Sequence, residues 1–412
     1  MLSKRIGRVG ILMLAVAAVA LLVISPVTAA HRTTNAANLV VWVDSPQKDS
    51  IEKSAKAWGK APVTVLVHSF GAIRDDLKTV APENAPDIVI GPHDWVGDLA
   101  TNGLILRLYP SAATKKQFPK SALNAFSYGT AVKKLYGSPY ALENVGLVVN
   151  TGLVKVPTTF AQLEASALKF KKRKSGNLAI AVPQGSGGDP YHMYSFFSGL
   201  GGYVFGKNKA GLLDPSDIGI ANKVFLKNAT TIDRWNREGL INSTVDYNTA
   251  KNAFLKKQAA FWITGPGESD TLKSSGLKFK IIQMPKLNFR SVPFLGVQGM
   301  MVTKYSTEHS LDTLAKDFVS RYMMTSGAQL DLANSNGRMP ANLRAAAKYK
   351  DPIQSQFGKA GVGGVPVPNI PQIGNVWTDF GQAWVKSTKG VGATRARVAF
   401  SAAARSIANK IG

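Results

Sequence analysis

The chain has 412 residues, 45% hydrophobic and 18% charged, which is long enough for two packed domains and too apolar for disorder. It contains no cysteine, which excludes disulfides, thiol catalysis and thiolate metal sites. Its 50 Lys and Arg residues against 25 Asp and Glu give a formal charge of +25. The basic residues are scattered without a nucleic-acid-binding motif, so we expect a solvated or envelope-facing surface and no nucleic-acid partner.

The N-terminus has the three parts of a secretory signal peptide. Three basic residues among the first eight precede an unbroken stretch of small and apolar residues at 10–24, and 27–30 (VTAA) resembles a cleavage site. We expect residues 1–30 to be a signal peptide and the protein to be secreted, either associated with the cell envelope or periplasmic. The alternative is an uncut anchor helix, although the apolar stretch is short for a membrane span. A lipid anchor needs a cysteine at the cleavage site, so we expect no lipoprotein.

Strand and helix patterns alternate at the start of the mature chain. The apolar run 39–43 predicts a buried strand, and apolar residues at i, i+4 and i+7 over 51–58 predict a helix. Residues 63–67, 73–80 and 87–90 continue as strand, helix and strand, and this βαβαβ order predicts an open parallel sheet. Further helices are expected near 159–173, 216–237, 248–257, 311–325, 339–349, 371–386 and 393–410, further strands near 146–149, 178–182, 259–263, 278–283 and 297–303, and an irregular loop at 361–371.

Ligands of open parallel sheets bind beyond the carboxyl ends of the strands. This rule points to three loops, which are the loop at Asp44, the loop that contains Asp94 and Trp95, and the residues that follow the predicted strand 146–149.

Six segments of the chain resemble, in order, the maltose/maltodextrin-binding proteins, which are the extracellular solute-binding proteins of carbohydrate ABC transporters. The likeness runs from about residue 39 to the C-terminus. The segments are PDIVIGPHDWVGDLATNGLI (86–105), LYGSPYALENVGLVVNTGLV (135–154), PTTFAQL (157–163), DPYHMYSFFSGLGGYVF (189–205), DYNTAKNAFLKKQAAFWITGPGE (246–268) and VPNIPQIGNVWTDFGQA (367–383).

The resemblance implies an α/β, two-lobe fold of the periplasmic-binding-protein type, with a hinge and an interlobe cleft. The N-terminal lobe would hold 38–142 plus 297–347, and the C-terminal lobe 146–293 plus 350–412. The function implied is the capture of maltose or maltooligosaccharides by a monomer that delivers them to the membrane subunits of an ABC importer. No cofactor, no metal and no enzymatic activity are expected.

Sugar hydroxyls favour charged hydrogen-bonding groups, so carboxylates on converging loops are candidate ligands. Asp94 follows the third predicted strand, and Glu143 follows the strand that crosses between the lobes. The family adds Asp44, and it adds Asp189 at a position where it usually has a glutamate. The alternative for Asp94 is a helix cap.

The C–H faces of a sugar favour flat aromatic rings. The candidates are Trp95, Tyr191 and Trp377. The family often has a basic residue in place of Trp95, whereas Tyr191 and Trp377 match its stacking residues. Each aromatic could instead be a packing residue. A second stacking tryptophan that the family often has after Gly-Pro is absent here, where Glu268 offers an additional acceptor.

Three other functions remain open. A different oligosaccharide such as trehalose or a cyclodextrin, or a polyol, would use the same kind of site. A glycoside hydrolase needs two carboxylates facing one bond, which Asp94, Glu143 and Asp189 could supply in pairs. A nucleic-acid-binding or cell-wall protein would account for the charge alone.

Overall fold

The computed structural model describes residues 37–129 and 132–412, so the predicted signal peptide lies outside the described residues. Within these two ranges, no helix is long and apolar enough to cross a membrane. The strands of the described part, β1 to β14 in chain order, are Leu39–Val43, Val63–Val67, Ile88–Pro92, Ser127–Tyr128, Lys134–Leu135, Ser138–Asn144, Gly146–Asn150, Phe205–Lys207, Leu213–Ile218, Phe261–Thr264, Phe279–Ile282, Phe294–Val302, Met339–Pro340 and Val365–Pro366.

The α-helices of the described part, α1 to α18, are Lys48–Trp58, Phe70–Thr79, Val96–Thr101, Ala112–Lys115, Lys120–Ala125, Phe160–Lys171, Pro190–Gly199, Lys223–Asn228, Thr230–Glu238, Tyr247–Leu255, Ser269–Ser274, Tyr305–Glu308, Asp312–Lys316, Ser326–Asn336, Leu343–Lys348, Pro352–Ala360, Trp377–Thr388 and Ala396–Ile411. Short 3-10 helices and one π-helix lie between them, at Ser45–Gln47, Pro82–Asn84, His93–Trp95, Gly219–Ala221, Pro266–Glu268, Asp317–Tyr322 (the π-helix) and Pro371–Asn375.

The larger sheet has the strand order β13-β6-β12-β3-β1-β2, with β14 beside β12. Strand β1 pairs in parallel with both β2 and β3, which confirms the predicted βαβαβ unit. Strand β12 is antiparallel to both β3 and β6. The sheet is therefore mixed, with a parallel half near the N-terminus.

The second sheet, β10-β7-β11, is antiparallel throughout. The carboxyl-end rule for parallel sheets does not apply to it. The residues after β7, which we expected at the binding site, line neither of the two cavities described below.

Other predicted elements also differ from the structure. The helix expected near 216–237 is broken into strand β9, a 3-10 turn and helices α8 and α9, because the Asn222 side chain accepts from the amide of Phe225 and starts a new helix. The strand expected near 178–182 makes only two isolated parallel bridges, and Pro183, which follows it, cannot donate a further ladder bond. Strand β14 lies inside the loop expected at 361–371.

Two large apolar cores divide the described residues. One contains residues from 39–141 and 297–332, and the other contains residues from 145–294 and 367–407. Two antiparallel neighbours, β6 and β12, run from one core to the other. Strand β12 begins at Phe294 in the second core and continues with Val297 in the first.

Gly299 on β12 and Gly137, just before β6, leave room for an aromatic ring. A Cβ at Gly299 or at Gly137 would lie 2.2 Å from the ring of Phe126, which is fully buried. The ring therefore packs directly on the backbone of β12, where any side chain would displace it.

We predict that Gly299→Ala lowers the free energy of unfolding by about 1–3 kcal/mol, because the added methyl overpacks the Phe126 ring. Gly327→Ala is the matched control, since it lies in helix α14 with no atom within 4 Å of the new methyl, and it should stabilise by about 0.5–1 kcal/mol. Chemical denaturation measures both. Equal free energies of unfolding for the two variants would contradict the close packing of Phe126 on Gly299.

Candidate functional site

A cavity of about 450 Å³ lies between the two cores. Its walls come from the start of α2, the end of β3, the crossing strands β6 and β12, and the starts of α7 and α17. It is lined by Phe70, Gly71, Arg74, Pro92, His93, Asp94, Trp95, Glu143, Tyr191, Gly296, Gln298, Val367 and Trp377. Five of the seven predicted site residues are among them.

Asp94 follows the carboxyl end of β3, in the 3-10 helix that turns the chain into α3. Burial raises the pKa of Asp94 to about 6, although its own backbone amide and the charge of Arg74 act in the opposite direction. Arg74 lines the same cavity, and its Nε lies 3.1 Å from Asp75 Oδ1. Asp94 is therefore a buried carboxyl group that the positive charge of Arg74 partly stabilises in its ionised form.

Trp95 borders the cavity but is only 5% exposed. Its ring covers Gly91, where a Cβ would lie 2.2 Å from the indole, and its centroid is 5.4 Å from that of Phe70. Phe70 is 46% exposed and lines the cavity. Much of the aromatic surface expected from Trp95 is thus offered by Phe70, which Trp95 supports.

Glu143 sits near the end of β6, opposite Gly296 of β12. One carboxylate oxygen forms an ion pair with Arg338, and the other accepts from Gln298 Nε2 at 3.2 Å. These two contacts fix the carboxylate at the junction of the two cores. It remains able to accept further hydrogen bonds, because each carboxylate oxygen has two lone pairs.

Tyr191 and Trp377 come from the second core and share one buried support. The ring of Phe294 stacks on Tyr191 at 6.0 Å and meets Trp377 edge-on at 5.9 Å. Burial raises the pKa of Tyr191, and the negative charges of Asp189 and Asp94 add to that rise. Its phenol therefore stays protonated and able to donate at neutral pH.

Both ring nitrogens of His93 are hydrogen-bonded to the backbone of other segments, so neither is left to contact a ligand. Its Nδ1 accepts from the amide of Val297 at 3.2 Å, and its Nε2 donates to the carbonyl of Val367 at 2.9 Å. Burial lowers the pKa of His93 to about 4, so the ring is neutral at physiological pH. These bonds hold the start of the 3-10 helix that carries Asp94.

Two predicted acids lie outside the cavity lining. Asp189 caps α7, its Oδ1 accepting from the amide of His192 at 3.0 Å and its Oδ2 lying 2.6 Å from the imidazole. Burial alone would raise the pKa of Asp189, but the adjacent His192 holds it below its usual range. Burial raises the pKa of Asp44 against the opposing charge of Arg338.

Glu268 does not face the cavity. Its two carboxylate oxygens lie 2.8 Å from the Tyr247 hydroxyl and 2.8 Å from Lys251 Nζ. The additional acceptor expected there is engaged within the second core. In the described ranges, no group of His, Asp and Glu side chains is arranged to hold a metal ion.

The sequence comparisons agree on one family. The family model described as "Bacterial extracellular solute-binding protein" matches residues 19–357. This chain belongs to that family. Its fold is the two-lobe, periplasmic-binding-protein-like α/β fold, because it superposes on a Thermus thermophilus maltotriose-binding protein, solved with maltotriose bound, with a TM-score of 0.78. That match has 28% identity and covers 91% of this chain and 100% of the other.

Two curated relatives of this solute-binding protein come from Bacillus subtilis (strain 168). A galactooligosaccharide-binding protein is 27% identical over 370 residues, which are 85% of this chain and 84% of the relative. A maltodextrin-binding protein is 29% identical over 312 residues, or 72% and 70% of the two chains. A maltotriose-binding protein of Pyrococcus abyssi (strain GE5 / Orsay) is 26% identical over 328 residues, or 76% and 68%.

Phe70, Arg74 and Gln298 are cavity residues of the solute-binding protein with aromatic or polar side chains that the sequence did not predict. Phe70 and Arg74 follow the carboxyl end of the parallel strand β2, so the rule that found Asp94 would also have found them. Gln298 lies within β12, where nothing in the sequence indicates which residues face the cavity.

Asp94→Asn should stabilise the solute-binding protein at pH 7 by about 1–3 kcal/mol, because a buried carboxylate is costly to ionise. The folded-state pKa of about 6 lies above the unfolded value of 3.8, so the penalty exists above pH 6 and is relieved as pH falls toward 4. The advantage of Asp94→Asn in urea denaturation should therefore vanish at pH 4. A gain that does not change with pH would contradict this account.

Proposed function

We propose that this solute-binding protein captures a maltose-type oligosaccharide in the cavity between its lobes and delivers it to the membrane subunits of an ABC importer. The observation that carries the proposal is one cavity lined both by the carboxyl groups of Asp94 and Glu143 and by the rings of Tyr191 and Trp377. Carboxylates suit sugar hydroxyls, and aromatic rings suit the C–H faces of the sugar. A metal ion or a phosphate would not need such rings.

The cavity has the size and composition of a small-ligand site, which typically spans about 300–1,000 Å³. Arg74 and Gln298 add donors to the two acceptors, so a sugar hydroxyl can both donate and accept there. Asp44 and Asp189 would then act from outside the lining, Asp189 by starting the helix that presents Tyr191.

The two cores support the proposed division into lobes, with 38–142 plus 297–347 on one side and 146–293 plus 350–412 on the other. Ligand contacts from both lobes would favour a closed arrangement over an open one. We propose that the protein acts as a secreted monomer and binds the sugar without altering it. A micromolar dissociation constant would need about −8 kcal/mol.

The relatives favour an oligosaccharide but differ in its type, since one is a galactooligosaccharide-binding protein and others are maltodextrin- or maltotriose-binding proteins. Calorimetric titration with maltose, maltotriose, a galactooligosaccharide, trehalose and a cyclodextrin tests the proposal. Saturable binding of maltotriose with no sugar consumed is expected. Preference for the galactooligosaccharide would change the ligand, and release of reducing ends would mean a hydrolase.

We predict that Trp377→Ala weakens binding of the preferred sugar at least about tenfold, through loss of the stacking face, while Trp377→Phe keeps most of the affinity. Tyr109→Ala is the control, because Tyr109 is 78% exposed and does not line the cavity. Tryptophan fluorescence titration and calorimetry both measure this effect. Unchanged affinity in a folded Trp377→Ala protein would place the sugar elsewhere.

A further inference from the structure

The positive charge of the described residues is concentrated on one side of the cavity. Residues 146–293 and 350–412 hold 28 Lys and Arg against 11 Asp and Glu, a net charge of +17. Residues 38–142 and 297–347 hold 17 against 13, a net charge of +4. Sugar capture does not need this asymmetry, because the cavity is lined by only one basic side chain, that of Arg74.

Three segments of the second core meet at one surface. The end of α6 contacts the end of α9, where Lys171 Nζ donates to the carbonyls of Glu238 at 3.1 Å and Gly239 at 3.2 Å. The last turn of α9 in turn holds the loop after α17, since the Asn236 amide exchanges hydrogen bonds of 3.1 and 2.8 Å with the backbone of Gly390. These contacts join the three segments into one continuous surface.

This surface, which we call the basic tip, carries cations that have no acidic partner in the described part of the chain. Its acidic residues are already engaged, because Glu164 and Glu238 both pair with Arg234 and Asp233 accepts from the amide of Ala396. Arg173 lies over the ring of Phe170, 5.2 Å from its centroid. The exposed cations without an acidic partner in the described ranges are Lys169, Lys172, Arg173, Lys174, Arg237, Lys386, Lys389, Arg395 and Arg397.

The basic tip also carries a fully exposed apolar side chain. Val391 is fully exposed, between Gly390 and Gly392, whose φ values of 84° and 72° turn the chain sharply there. Val398, on the first turn of α18, is 55% exposed. Exposed apolar residues on the same surface as exposed cations have the pattern of a membrane-surface contact, where the apolar groups enter the headgroup boundary.

The basic tip lies away from the sugar cavity. Helix α17 begins at Trp377 in the cavity and ends at Thr388 beside the tip, so its 12 residues separate the two by about 18 Å. Contact at the tip would therefore leave the cavity accessible.

We propose that the basic tip docks this protein on an anionic phospholipid surface. Basic residues near an anionic leaflet are attracted over a distance of about one Debye length. The exposed Val391 favours a lipid surface over a soluble anionic polymer, because a polymer offers no apolar layer for it to enter. The proposal does not depend on which sugar is bound.

Cosedimentation of the secreted protein with vesicles tests the proposal. Vesicles with 30% phosphatidylglycerol in phosphatidylcholine should bind the protein at low salt and release it at high salt, and pure phosphatidylcholine should not bind it. The triple variant Lys172→Gln, Arg173→Gln, Lys174→Gln should lower the partition coefficient about a hundredfold, as removal of each cation costs about fivefold. Val391→Ser should lower it about tenfold.

The matched control is Lys115→Gln, Lys116→Gln, Lys120→Gln, which removes the same charge from exposed residues of the other lobe. It should bind vesicles nearly as the unaltered protein does. Equal losses in the two triple variants would overturn the proposal, since net charge alone would then explain binding. Binding to dextran sulfate together with no effect of Val391→Ser on vesicles would also overturn it, in favour of a polymer. Thermal unfolding checks that each variant is folded.

Discussion

The pairing of β6 with β12 is the constraint on which the site depends. These antiparallel strands pass from one core to the other, so the side chains near their crossing belong to both halves of the molecule. Glu143 stands on one strand and Gly296 and Gln298 on the other, and the absence of a side chain at Gly296 leaves room for the Tyr191 hydroxyl. The same pair of strands therefore connects the two halves of the molecule, lines the cavity and carries the carboxylate of Glu143.

Sequence patterns predicted those parts of the site that depend on local order. The βαβαβ unit and the carboxyl-end rule led to Asp94, and a family resemblance led to Tyr191 and Trp377. The ion pair of Glu143 with Arg338 joins positions nearly 200 residues apart, and no local pattern specifies it. The sequence did not predict that the sheet around β7 is antiparallel, because a buried apolar run has the same pattern in a parallel and in an antiparallel strand.

The two carboxyl groups of the cavity have different electrostatic surroundings. Burial raises the pKa of Asp94 to about 6, so its ionised form costs folding free energy at neutral pH. Glu143 has fixed partners, because it forms an ion pair with Arg338 and accepts a hydrogen bond from Gln298. One carboxyl group is therefore paired and oriented, whereas the other carries a burial penalty that hydrogen bonds from a ligand would offset under the proposed function.

A crystal structure of the protein grown with maltotriose tests the central claim most directly. Our account predicts sugar density in the 450 Å³ cavity, with hydroxyls on Asp94 and Glu143 and a ring face on Trp377. A smaller cavity, lined by Pro266 and Gln354, lies behind the crossing strands. Our account would be contradicted by sugar density in that cavity or on the outer surface of either lobe.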